Sequence, residues 1–426
     1  MAILTVQEII ALFGAIVFIG FFAEMIFRKF SIPNVLLLLF LGVFIGSFSG
    51  AVAPQDLAVY ASLFAPIALI IMLFEGGLNM NILEFLKETP VALIFSFLVT
   101  VFQIVIISIA GHFILGWDYL IGAILGAILS GVSSLSLTAD PTKVLSEGVK
   151  NIISLESVAT DVFGIVFAIT LINIAVGVGT LDINSIGQTI LTFLVIGTVI
   201  GGIGALIWGA ILKYGGNIDF GYVLTIGFLF ILYYISDLYN GNGPITVLIF
   251  GLFLGNMNLF ARFFKTESLA PNTFFIKKVH KEITFFISTF FFVYLGTIVV
   301  FNNFDNVLIG IVISVLLIVA RYILVNIFFR PFKLAKKELK ILSIVSARDL
   351  STAVLAPLPL FYGIQGTESF SDIAFSVIIC TVLFTVITYI LITKVEKEDL
   401  AEKIEHEEQE EKKKVEEANA EVNNEK

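Results

Sequence analysis

Long apolar runs separated by short polar connections fill the chain as far as residue 393, where the pattern stops. A membrane-spanning helix needs about 20 mostly apolar residues. Thirteen runs of that kind begin near residues 7, 34, 58, 90, 119, 152, 187, 220, 243, 282, 306, 339 and 372. Their apolar positions are continuous and do not alternate with polar ones, which excludes the strands of an outer-membrane barrel. The pattern predicts an all-α polytopic membrane protein with about thirteen transmembrane helices, spans 1–13, in residues 1–393. Two runs are interrupted midway. Span 5 carries Ser130-Gly131-Val132-Ser133-Ser134-Leu135-Ser136, and span 12 carries Ser346-Ala347-Arg348-Asp349-Leu350-Ser351-Thr352.

The interrupted runs lie seven spans apart, and a second echo has the same offset. Span 2 reads Ile32-Pro33-Asn34 and then a Leu-rich run with Gly42 and Gly46. Span 9 reads Gly243-Pro244-Ile245 and then a similar run with Gly251 and Gly255. An odd offset reverses orientation in the membrane, so the echoes predict inverted-topology repeats whose two broken helices, spans 5 and 12, cross.

Composition fits this class: of 426 residues, 58% are hydrophobic and 14% charged, and the mean hydropathy is +1.02. The net charge of −9 lies mostly in the segment 394–426. That Glu/Lys-rich, aromatic-free stretch reads as a solvated helix or a disordered tail, so the acidity says little about substrate. Lys and Arg occupy alternate connections. They occur at Arg28 and Lys29, Lys87, Lys143 and Lys150, Lys213, Arg262 to Lys281, Arg330 to Lys340, and in the tail. The connections around Pro54, Trp117, Asp182, Asn242, Asn303 and Glu368 have none. The positive-inside rule then predicts a multi-pass cell-membrane protein with its N-terminus outside and its C-terminus cytoplasmic. The first span follows Glu8 without a basic n-region, so no cleavable signal peptide is expected. The run from Arg330 to Lys340 fits contact with anionic membrane lipid. Cys380 is the only cysteine and the three histidines are dispersed, which excludes an intramolecular disulfide and disfavours a zinc centre. No phosphate-binding loop is present, so no nucleotide-driven pump is expected. Neither an enzyme activity, a cofactor nor a nucleic-acid partner is expected.

Charge inside the apolar runs points to chemistry. A charged side chain at the bilayer centre costs about 2.5–3.5 kcal/mol even on the lenient insertion scale, and Arg321 and Arg348 both lie in apolar runs. Their candidate partners, Glu156 and Asp161, are in span 6, which begins Ser154-Leu155-Glu156-Ser157-Val158-Ala159-Thr160-Asp161. Ser157 and Asp161 are four apart and share a helical face, and Glu156 and Thr160 share the neighbouring one. Hard cations take several oxygen ligands, which carboxylates, hydroxyls and unwound backbone carbonyls supply. A carboxylate that holds either a proton or a cation, never both, is the minimum apparatus for exchange. Asp349 and the span 6 carboxylates would neutralise positive half-helix ends, and Arg348 a negative one. An ion pair of Glu156 with Arg321 or Arg348 that only holds helices together is the simpler reading of that glutamate; the expected pair is Glu156 with Arg321, leaving Arg348 to compensate the broken-helix crossing. Gln103 and Thr100 read as interhelical hydrogen-bonding groups.

The order Glu156-Ser157-x-x-Thr160-Asp161 resembles the site helix of the cation/proton antiporter superfamily, in its NhaP-like sodium/proton exchanger branch. Further points of similarity are Leu73-Phe74-Glu75-Gly76-Gly77-Leu78 closing span 3 and Phe292-Val293-Tyr294-Leu295-Gly296 in span 10. Arg321 in span 11 and Arg348 in broken span 12 also stand where that branch has buried arginines. The resemblance covers roughly residues 1–393. It implies a core (spans 4–6 and 11–13) moving against a scaffold and dimerisation unit (spans 1–3 and 8–10), and a homodimer. It also implies that Asp161 alternately binds Na⁺ and H⁺, with Glu156, Ser157, Thr160, Ser133 and Ser134 helping to form the ion site and Arg321 and Arg348 compensating charge.

Two departures bear on selectivity. Thr160 stands where the family commonly has Asn or Asp. Span 5 has no acid where a Thr-Asp-Pro element is frequent, its best match being Val132-Ser133-Ser134. Electrogenic relatives carry two adjacent acids in span 6 and a lysine in span 10. Here span 10 has no basic residue beyond its cytoplasmic edge, so one titrating carboxylate remains once Glu156 is committed to an arginine. The expected function is exchange of Na⁺ or Li⁺ for H⁺ by alternating access, electroneutral at 1:1. A K⁺/H⁺ antiporter or a cation channel on the same fold is the alternative. An intramembrane aspartyl protease using Asp161 and Asp349 fails because each acid has a better electrostatic partner, and an anion exchanger fails because Asp161 would repel its substrate.

Overall fold

A computed structural model describes residues 6–30, 33–48, 54–80, 90–133, 146–177, 183–214, 221–259, 273–298, 304–332, 334–348 and 350–392. Ser134, Asp349, the acidic tail and, among the basic connecting residues, Lys87, Lys143, Arg262, Lys265 and Lys333 lie outside these stretches. The described residues are helical wherever the apolar pattern requires it, and none of them forms a strand.

In chain order the helices are α1 (Val6–Phe30), α2 (Asn34–Val43), α3 (Pro54–Asn79), α4 (Pro90–Leu115), α5 (Tyr119–Ile128), α6 (Glu147–Ala175), α7 (Ile183–Tyr214) and α8 (Gly221–Leu238). They continue with α9 (Gly243–Gly255), α10 (Thr273–Ile298), α11 (Phe304–Phe328), α12 (Lys336–Ile344), α13 (Leu350–Leu355), α14 (Leu358–Phe361) and α15 (Phe370–Ile392). Among the described residues eight helices are long and apolar enough to cross a membrane, and shorter apolar ones cover Gly14–Ala23, Asn34–Gly46, Tyr119–Ile128, Gly243–Gly255 and Leu350–Phe361.

Local chemistry sets several helix starts. Asp118 caps α5 by accepting from the Leu120 N–H at 2.8 Å, and Asn242 caps α9 by accepting from the Ile245 N–H at 3.1 Å. Each satisfies a donor that a first helical turn leaves unpaired. Pro33 precedes α2 and Pro244 lies in the first turn of α9, where a fixed φ and a missing N–H cost nothing.

The packing repeats the seven-span offset. Helix α2 packs on α10 while α9 packs on α3, and advancing each label of one pair by seven, or taking seven away, gives the other. Both crossings are made by glycine. A Cβ added at Gly42 would stand 2.8 Å from the Gly296 Cα, and one at Gly251 would stand 2.7 Å from the Phe74 carbonyl oxygen. Lipid offers no hydrophobic drive to bring helices together, so close backbone approach and interhelical hydrogen bonds hold such contacts. The Asn256 side-chain amide adds one, donating to the Met80 carbonyl at 2.7 Å.

Helices α5, α6 and α11 pack around α4, and α12 lies against α11. Helix α5 ends at Ile128 and the chain runs on unwound to Ser133; α12 ends at Ile344 and residues 345–348 are likewise unwound. The two unwound stretches meet, the Ser133 N–H donating to the Ala347 carbonyl at 2.8 Å. The Thr352 hydroxyl donates to the Ile128 carbonyl at 3.2 Å, so a side chain of one broken helix serves the backbone end of the other.

Candidate functional site

Helix α6 passes beside this crossing and brings its polar turn to it. Asp161 is partly buried, and its Oδ1 accepts a hydrogen bond from the Ser351 hydroxyl of α13 at 2.7 Å. Thr160 is fully buried. Its hydroxyl accepts from the Val132 N–H at 3.1 Å and donates to the Glu156 carbonyl at 2.8 Å, tying unwound span 5 to the site helix. Ser133 is buried at the crossing and Ser157 half-buried on α6. Gly131 closes against the acid: a Cβ there would stand 2.6 Å from the Ser351 Oγ and closer still to the Asp161 Oδ1. The structure therefore gathers Asp161, Thr160, Ser133 and Gly131 with Ser351 where α5, α6 and α13 converge.

Glu156 faces elsewhere. Its carboxylate receives two parallel hydrogen bonds from Arg321, Nη1 to Oε1 and Nη2 to Oε2, the latter 2.9 Å long. Both side chains are almost wholly buried, at 1% and 0% exposed. Two-pronged pairing suits the flat guanidinium and is among the stronger hydrogen-bonded arrangements available to a carboxylate. Arg321 also donates from Nε to the Leu342 carbonyl in the last turn of α12 at 2.9 Å. It thus serves a negative half-helix end, a role expected from sequence for Arg348. The Phe95 ring lies 5.9 Å from the guanidinium carbon, within cation–π range.

Arg348 is buried at the centre of the crossing and donates from Nη2 to the Gln103 Oε1 of α4 at 3.3 Å. The unwound segment around it is held by two threonines of α15. Thr381 accepts from the Arg348 N–H at 3.2 Å; Thr385 accepts from the Ser346 N–H at 3.3 Å and donates to the Ile344 carbonyl at 3.0 Å. Ser351, Thr381 and Thr385 were not singled out from sequence. The spacing of four between the threonines, inside an otherwise apolar run, was the available signal.

A separate polar cluster lies between α3, α8 and α10. Glu75 accepts from the Thr284 hydroxyl at 2.7 Å, and its Oε2 lies 3.6 Å from the His280 Nε2. The other ring nitrogen of His280 is 2.8 Å from the Tyr222 hydroxyl. The next residue of α3, Gly76, faces Val158 and Val162 of α6, so this cluster backs onto the site helix.

Among the described residues no group of three or more His, Cys, Asp and Glu side chains gathers to hold a metal ion. Asp161, with the hydroxyls of Ser351, Thr160 and Ser133 around it, offers oxygen ligands of the kind hard cations take.

The sodium/hydrogen exchanger transmembrane family model matches residues 14–394. A K⁺/H⁺ antiporter NhaP from Alkalimonas amylolytica is 26% identical over 385 residues, covering 88% of this chain and 64% of that protein. A K⁺/H⁺ antiporter NhaP2 from Shewanella baltica is 24% identical over 368 residues, covering 83% and 61%. This chain thus spans somewhat less than two thirds of the length of these relatives. Among solved structures, the sodium proton antiporter MjNhaP1 from Methanocaldococcus jannaschii at pH 8 superposes with a TM-score of 0.75 at 21% identity, covering 92% of this chain and 100% of that one. An electron-microscopy structure of the same antiporter gives 0.68 at 22% identity, covering 91% and 96%.

Proposed function

Because the chain belongs to the sodium/hydrogen exchanger family of cation/proton antiporters, we propose that it exchanges Na⁺ for H⁺ at Asp161 by alternating access, one for one. The observation that carries this reading is the division of labour between Glu156 and Asp161 of α6. Glu156 is consumed by a two-pronged pair with Arg321, whereas the Asp161 Oδ1 accepts from the Ser351 hydroxyl at the crossing of the broken helices. One carboxylate that gives up a proton as it takes a monovalent cation moves no net charge per cycle. Ser157, Thr160, Ser133 and Ser134 belong to this site in the proposal, and Arg321 and Arg348 balance charge around it.

The protein works as a homodimer in the cell membrane, with thirteen spans, its N-terminus outside and its C-terminus cytoplasmic. Spans 4–6 and 11–13 move as a core against spans 1–3 and 8–10. The grouping of α5, α6 and α11 around α4, apart from the glycine crossings of α2 with α10 and α3 with α9, supports this division. K⁺ in place of Na⁺ is the second reading. It is favoured by the K⁺/H⁺ activity named for the relatives and by the neutral Thr160 beside the essential acid.

The test is cation-driven pH change in proteoliposomes with Na⁺, Li⁺ or K⁺ gradients, the membrane potential clamped at several values. Saturable exchange with Na⁺, and a balance point unmoved by the potential, is the expected result. A balance point that follows the potential would overturn the one-for-one stoichiometry, exchange with K⁺ alone would replace the cation, and uncoupled conductance would mark a channel.

A further inference from the structure

Ser351 follows Arg348 and Asp349 in broken span 12, and its hydroxyl is hydrogen-bonded to the Asp161 Oδ1, at 2.7 Å. We propose that Ser351 is a ligand of the transported cation, and that Gly131 holds the Ser351–Asp161 oxygen pair in place. This inference rests on the antiport reading of Asp161 and adds two residues to it.

A hydroxyl has one hydrogen to give and two lone pairs to offer. With its hydrogen on Asp161, the Ser351 oxygen still presents electron density to a cation approaching the same carboxylate. The spacing permits it: two oxygens 2.7 Å apart can both touch a cation of Ca²⁺-like radius, such as Na⁺, at about 2.4 Å from each, subtending roughly 70°. Neither side chain has to move. When the carboxyl carries a proton instead, the direction reverses and the acid donates to the Ser351 oxygen. The serine is therefore satisfied in both loaded states, which a hydrocarbon side chain at this position would not be.

Gly131 explains why the pair stays together. The unwound end of span 5 presses so close that a single added methyl would overlap both oxygens. Only a residue without a side chain lets this backbone shield one side of the pair, leaving the cation to approach from another. Three segments supply the arrangement: Gly131 after α5, Asp161 on α6 and Ser351 on α13.

The experiment measures KM for Na⁺ and maximal rate in proteoliposomes for wild type, Ser351→Ala, Ser351→Cys, Ser351→Thr and Gly131→Ala, with Asp161→Asn as reference. Ser351→Ala is expected to raise KM at least tenfold, acting more on KM than on the rate at saturating Na⁺. Ser351→Thr, which restores a hydroxyl, brings KM back to within about threefold. Ser351→Cys keeps the size but gives a soft, weakly ligating sulfur, so it follows Ser351→Ala; it also carries the test if the alanine variant fails to fold. Gly131→Ala raises KM through the same pair. A wild-type KM in Ser351→Cys, or an equal rise in Ser351→Thr, overturns the ligand role while an inactive Asp161→Asn leaves the antiport reading standing. An active Asp161→Asn overturns the antiport reading itself.

Discussion

Arg321 and Glu156 give the most exacting test of the buried electrostatics. Changing Arg321 to Met strands a carboxylate that is 1% exposed and had two hydrogen bonds to the guanidinium. Breaking a buried pair from one side costs about 3–5 kcal/mol, because the surviving charge is left uncompensated. The same change removes the Nε donor to the Leu342 carbonyl, and an orphaned buried acceptor adds about 1–3 kcal/mol. Glu156→Leu strands the guanidinium instead and costs about 3–5 kcal/mol again. The double variant leaves no charge behind and fills the space with hydrocarbon, so it loses mainly the Leu342 contribution, about 1–3 kcal/mol. Equilibrium unfolding in mixed detergent micelles of the wild type, both single variants and the double variant closes the cycle. The double loss should fall short of the summed single losses by about 3 kcal/mol or more. Losses that add to within about 0.5 kcal/mol would mean that the two groups are energetically independent, and the commitment of Glu156 to Arg321 would fall with them.

Two further outcomes are expected. Gly251→Ala places a Cβ 2.7 Å from the Phe74 carbonyl oxygen and 3.1 Å from the Leu78 nitrogen; both neighbours are backbone, so the variant should lose about 1–3 kcal/mol. Gly14→Ala, whose Cβ meets nothing within 4 Å, should lose nothing in the same unfolding assay, and equal effects at the two sites would refute the glycine-crossing account. Glu338, ahead of the apolar part of span 12, accepts from the Ser146 and Ala335 N–H groups, each at 3.2 Å. Hydrogen bonding by Ser146, with Ala335 and the nearby Lys337 assisting, holds its carboxyl below the usual range against the opposing effect of burial. A lowered folded-state value means that the contribution is present above the ordinary value of about 4.3 and is lost as pH falls through the folded value. Wild type should therefore be more stable than Glu338→Gln at pH 7, and the gap should shrink on acidification; a gap constant from pH 7 to pH 3 would contradict the assignment.

The apolar periodicity made the helices legible, because a membrane leaves a backbone few ways to satisfy its hydrogen bonds. The paired breaks at Ser130–Ser136 and Ser346–Thr352 likewise announced the two unwound segments, and the glycines of spans 2 and 9 turned out to mark equivalent crossings. What the sequence could not show was the full set of partners each polar group takes. The pairing of Arg321 with Glu156 is the expected one, but Arg321 also takes a half-helix carbonyl, and Arg348 donates to Gln103. Those further contacts depend on how α4, α11 and α12 pack, which no spacing along the chain encodes. Ser351 was hidden for the same reason: it looks like one hydroxyl among several until α13 is folded against α6. The cluster of Glu75, Tyr222, His280 and Thr284 draws on three distant helices, and only Glu75, in the motif closing span 3, has a local signature.

In the proposed mechanism Asp161 is the group that carries cation and proton in turn. Na⁺-driven proton flux, read by a pH dye sealed inside proteoliposomes, tests it most directly when wild type and Asp161→Asn are compared at matched reconstitution. The amide has the size of the acid but can neither ionise nor release a proton. Coupled flux in the wild type and none in Asp161→Asn, at any Na⁺ concentration, is the predicted result. Coupled flux that survives in Asp161→Asn would contradict the account and move the exchange to another group.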